Sequence, residues 1–163
     1  MTSAVCNASP LIALSVLHQF SLLTTLFDAI VVPDAVVREV AQESDLHGAL
    51  EVRQGLDSGA LTGYTIQAPI VVERLYGRLH RGELEVIIGA VELGISRVIL
   101  DDRSARQFAI ADGLHPTGTL GVLLLAREAG LIPALKTPLD ALRESGFRIS
   151  ETLYREALRQ VGE

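Results

Sequence analysis

Short apolar, β-branched stretches alternate with longer helical segments along the chain, and this alternation constrains the fold more than any other feature. It is the pattern of a parallel sheet whose strands are joined by crossover helices. Strands are expected at Ala4–Asn7, Ala29–Val32, Leu61–Ile66 and Arg97–Leu100, with a short extended piece at Leu114–Pro116. Helices are expected at Leu11–Leu17, Ser21–Phe27, Asp34–Gln42, Asp45–Leu56, Pro69–Leu79, Gly82–Gly94, Asp102–Ala111 and from Gly118-Thr119 to Gly130. Two more follow at Pro138–Glu144 and Glu151–Val161, the second with Ser150 as N-cap. No repeat, low-complexity run or linker interrupts the series, so residues 1–163 read as one domain.

The balance of residue types excludes several classes of protein. Aromatics are 4% of the chain and there is no Trp, so the core must be aliphatic. A single cysteine, Cys6, excludes an intramolecular disulfide or a thiolate zinc cluster and suits the cytoplasm. Cys6 itself reads as a small core residue. No basic-then-apolar leader opens the chain, and the apolar run Leu120–Ala126 is too short to span a bilayer, so no membrane is implied. The formal charge of −6 argues against a protein that binds nucleic acid through a broadly basic surface. It is equally the charge of an ordinary soluble surface and of a chain that collects carboxylates around a cation.

Helical geometry sorts those carboxylates. At about 100° per residue, Glu83 shares an arc with Val86, Ile87, Ala90, Val91 and Leu93, while Glu85 and Glu92 fall opposite as solvated charges. A carboxylate at Glu83 is costly unless it is paired, hydrogen-bonded or metal-bound. Its ordinary alternative is to sit at the positive end of the helix dipole. Glu39 lies at the margin of the face made by Val36, Val37, Val40 and Ala41. Asp101-Asp102 directly follows a strand, and ligands of open α/β sheets bind beyond the carboxyl ends of strands. Asn7 ends the first strand in the same way. Acids converging from distant segments would suit Mg²⁺ or Mn²⁺, hard cations that take oxygen ligands and meet phosphates.

Competing motifs are absent or misplaced. There is neither a Rossmann glycine pattern nor a P-loop, and His18, His47, His80 and His115 lack zinc spacing. A phosphoacceptor domain would need its acidic pair early, whereas Asp101-Asp102 comes late. Gly118–Ala126 could cradle a phosphate at a helix N-terminus, though a cap on a buried helix is the plainer reading. Arg78, Arg81, Arg103 and Arg106 flank the acids and could hold an RNA backbone, or be ordinary surface arginines.

Asn7-Ala8-Ser9-Pro10-Leu11-Ile12, Pro33–Val40, Gly82-Glu83-Leu84-Glu85, Leu100-Asp101-Asp102-Arg103 with Arg106, and Gly118-Thr119-Leu120-Gly121 occur in that order. Together with the tail from Gly146 to Ser150 they resemble the PIN-domain family, in particular a bacterial and archaeal branch described as predicted nucleic-acid-binding proteins. The resemblance implies an α/β fold of Rossmann-like type, a three-layer domain whose small parallel sheet of four to five strands is flanked by helices. It implies a Mg²⁺- or Mn²⁺-dependent ribonuclease acting on single-stranded RNA through metal-activated water. It also implies, for many relatives, a toxin restrained by a small antitoxin protein. Glu39, Glu83, Asp101 and Asp102 match the family's acidic catalytic positions, with either aspartate as the ligand. Ser9 and Thr119 match residues near the site, placed with Arg103 and Arg106 on the substrate side. Asn7 departs from the family's usual Asp. Its amide oxygen can still meet a cation, but one negative charge is gone, which weakens metal binding. A second reading is therefore a catalytically weakened PIN fold that binds RNA or a protein. The apolar positions Ile149, Leu153, Ala157 and Val161 of the last helix offer a packing surface or a homodimer contact.

Overall fold

A computed structural model describes residues 2–43 and 47–163. Five strands, β1 (Ser3–Cys6), β2 (Ala29–Pro33), β3 (Leu61–Tyr64), β4 (Arg97–Ile99) and β5 (His115–Thr117), form one sheet in the order β3-β2-β1-β4-β5. Every neighbouring pair is parallel. The helices are α1 (Ala8–Val16), α2 (Ser21–Leu26), α3 (Asp34–Glu43), α4 (His47–Ser58), α5 (Pro69–Leu75), α6 (Arg81–Leu93), α7 (Arg103–Ala111), α8 (Thr119–Glu128), α9 (Lys136–Glu144) and α10 (Glu151–Gln160). The start expected for the fourth helix, at Asp45, lies outside the described residues. The architecture is the α/β sheet flanked by helices that the alternation predicts.

β1 is the central strand, hydrogen-bonded on both sides, and Ala4, Val5 and Cys6 are fully buried. That accounts for a run without polar alternation. The Cys6 thiol is pushed well above its usual range by burial and, secondarily, by the charge of Asp101, which leaves it an inert core group. Pro10 sits in the first turn of α1, where a missing N–H breaks no helical bond.

The helical arc drawn for α6 needs correction. Val91 is 57% exposed, whereas Glu85 is 4% exposed. α6 packs against β1, β2 and β4 and also against α3, α5 and α7, so the side opposite the sheet is covered as well. Glu85 is tolerated there because its carboxylate accepts the Ala35 N–H (2.9 Å) in the first turn of α3 and faces the Arg81 guanidinium at 3.5 Å. Glu92 is not merely solvated either. It accepts the N–H groups of Gln67 and Ala68, just ahead of α5, and the Tyr64 hydroxyl. In α10 the buried face is Tyr154, Ala157 and Leu158, and Leu153 remains 46% exposed.

Candidate active site

Strand order turns around at β1. β2 and β3 lie to one side of it, β4 and β5 to the other. Connections leaving adjacent strands in opposite directions open a crevice at their carboxyl ends. Asn7 follows β1 and caps α1, and its N–H is bonded to the Ile99 carbonyl of β4 at 3.0 Å. Two residues beyond β4 comes Asp101. The crevice between them is a cavity of about 660 Å³, lined by Asn7, Ser9, Glu39, Glu83, Asp101, Asp102 and Arg106 among others. Thus α3, α6 and the ends of β1 and β4 each bring an acid or amide to one place.

Asp101 is held by three donors: the Thr119 N–H (2.7 Å), the Thr119 hydroxyl (2.7 Å) and the Ser9 hydroxyl (3.1 Å). Its carboxylate therefore tethers the start of α8 to the end of β4. Thr119 is fully buried, so its contribution to the cavity is to orient Asp101. Asp102 is exposed and accepts the Ala105 N–H at 2.8 Å as the N-cap of α7. Glu83 is 8% exposed and accepts the His80 N–H at 3.0 Å, as the third residue of a capping arrangement. Burial raises its carboxyl pKa; the His80 N–H opposes that and the charge of Asp102 adds to it.

The Asn7 side-chain oxygen is buried and accepts no hydrogen bond among the described residues. Orphaned buried acceptors are rare in folded proteins, and a water or an ion is among the partners that can satisfy one. Glycine keeps the space beside Asn7 open: a Cβ at Gly82 would stand 2.6 Å from Glu39 Oε2 and 3.3 Å from Asn7 Oδ1. A Cβ at Gly118 would stand 2.8 Å from Arg106 Nη1 and 2.9 Å from Asp101 Oδ1. Oxygen donors, one without a partner, converging on a cavity at a strand end suit a hard divalent cation. Among the described residues, though, no three His, Cys, Asp or Glu side chains already form a metal-holding group. Uncompensated carboxylates repel one another, and Glu83, Asp101 and Asp102 have each turned to an N–H or hydroxyl.

A sequence model of the PIN-domain family matches residues 3–163, and the chain belongs to that family. PIN domains are in general nucleases that use divalent metal ions, so the fold and the cavity define a nuclease-like protein. No curated protein and no solved structure matches the chain. Among the described residues no helix is long and apolar enough to cross a membrane.

Asn7, Ser9, Glu39, Glu83, Asp101, Asp102 and Arg106 line the cavity together, whereas Arg103 is exposed at the start of α7 and is not part of its lining. Arg81 is engaged by Glu73 and Glu85. Sequence reasoning overlooked the far wall, made by Phe147, Arg148, Ile149 and Leu153. These residues belong to or follow the tail motif, but nothing near them in sequence shows that they reach the crevice.

Proposed function

We propose that this chain is a Mg²⁺- or Mn²⁺-dependent endoribonuclease that cuts single-stranded RNA, the toxin half of a toxin–antitoxin pair. The observation that carries the reading is the orphaned Asn7 oxygen in a cavity shared with Glu39, Glu83 and the Asp101-Asp102 pair. Glu39, Glu83, Asp102 and the Asn7 amide would hold the ion. Asp101, with most of its lone pairs taken by Thr119 and Ser9, orients the end of β4 and adds negative charge. A bound divalent ion supplies an activated water and polarises the scissile phosphate. Arg106, beside Gly118 on the cavity wall, offers a cation to a phosphate oxygen.

The test is cleavage of a labelled single strand with and without metal. Cutting should require Mn²⁺ or Mg²⁺ and stop in EDTA. Glu83→Gln should lower the rate on the order of 100-fold while changing RNA affinity little, because Glu83 serves the ion. As a toxin, the induced protein should arrest growth, and Glu83→Gln should relieve the arrest. The second reading, a quiet module that binds RNA or a protein, is favoured by the amide at position 7 and by the carboxylates turned to local donors. Binding without cutting under any metal would establish it.

A further inference from the structure

A second cavity, about 350 Å³, opens on the other side of the acids, and Glu83 and Asp102 line both. The two therefore adjoin at these carboxylates, one on each side of the candidate active site. Each cavity carries an aromatic ring beside an arginine. Tyr76 and Arg78 line the smaller; Phe147 and Arg148 line the larger. The Tyr76 side is 64% exposed, a high value for a ring in a chain so poor in aromatics. No carboxylate among the described residues is ion-paired with Arg78 or Arg148, in contrast to Arg81, Arg127, Arg143 and Arg155. With Arg106, these two cations stay available beside the acidic residues, in a protein of net charge −6.

Resting on the nuclease reading above, we propose that the two cavities form a two-sided clamp for a single nucleic-acid strand. Tyr76 stacks a base on one side of the scissile phosphate and Phe147 stacks a base on the other. Arg78 and Arg148 take the phosphates next to those bases. Stacking faces interleaved with cations are how proteins hold single strands without reading sequence. Paired bases are already stacked on their neighbours and turn their faces away from the clamp, so duplex is excluded. The clamp also explains how an acidic protein engages a polyanion. Stacking supplies affinity that does not depend on overall charge, and the few cations needed are placed locally.

The experiment measures anisotropy of a labelled 12-nucleotide RNA in Ca²⁺, with strand integrity checked on a gel, beside cleavage in Mn²⁺. Tyr76→Ala should weaken binding about 5- to 150-fold, and Tyr76→Phe should restore it. Phe147 is partly buried against the core, so Phe147→Leu is used, which keeps apolar packing and removes the ring face. It should weaken binding while leaving the thermal midpoint near wild type. A duplex of the same sequence should compete poorly. If wild type cuts RNA and the Tyr76 and Phe147 variants bind and cut as it does, the clamp is wrong and the nuclease reading stands. If the ring variants lose affinity in a protein that never cuts, the clamp stands and the nuclease reading falls. A protein that neither binds nor cuts overturns both.

Discussion

Replacing Asn7 by aspartate alters one atom and one unit of charge at a buried position where an acceptor already lacks a donor. If that oxygen meets the ion, Asn7→Asp should tighten Mn²⁺ on the order of tenfold and raise cleavage, read by calorimetry and by rate. Unchanged values in both would remove residue 7 from the ligand set. Glu83 makes the complementary case. Burial holds its folded-state pKa above the unfolded value, so ionising it costs stability. That cost is absent at low pH and grows as pH rises through the raised value. Metal-free Glu83→Gln should therefore melt at or above wild type at pH 7, with the difference closing near pH 4. A clearly lower melting temperature at pH 7 would instead make the His80 contact the main role of Glu83. Gly82 is a matter of space, since its Cβ would crowd the ends of Glu39 and Asn7. Those ends are side-chain tips that can swing aside, so Gly82→Ala should keep the fold and lose metal affinity.

Helices here begin on carboxylates borrowed from other parts of the chain. Glu85 of α6 serves α3, Glu92 of α6 serves the approach to α5, and Asp101 serves α8. Each pairing fixes the angle between two elements as well as satisfying an N–H. Removing Glu85 should cost about 1–3 kcal/mol, because Glu85→Ala strands the Ala35 N–H in a buried place. It should also loosen α3, which carries Glu39, so metal affinity should fall together with the denaturation midpoint. These contacts explain what was legible in the sequence. Strands and most helices were, since hydrophobic period and turn residues act locally. The depth of Glu83 was too, because it followed from one helix's own periodicity. The true environment of Glu85 and Glu92 was not, because it depends on which neighbours cover α6. Nor was the contribution of Phe147 and Arg148, which arrives from the far end of the chain.

At the scale of the whole chain, Glu163 performs the same service over a longer reach. Its carboxylate accepts the Leu135 and Lys136 N–H groups at the start of α9 and pairs with Arg127 of α8 at 2.8 Å. Arg127 and those N–H groups lower its pKa to about 2. The stability it contributes is therefore fully present above the ordinary glutamate range and lost as pH falls from about 4.5 toward 2. Thermal melts of wild type and Glu163→Gln should differ most at neutral pH and converge near pH 2. A gap of the same size at every pH would assign the effect to packing. The central strand has a consequence in time. β1 is made first, but the partners that complete its crevice, β4 with Asp101 and the Thr119 that holds Asp101, lie more than ninety residues later. On the nuclease proposal, a ribosome translating this chain would carry a fragment without a finished crevice, harmless to the message being read, until Thr119 has followed β4.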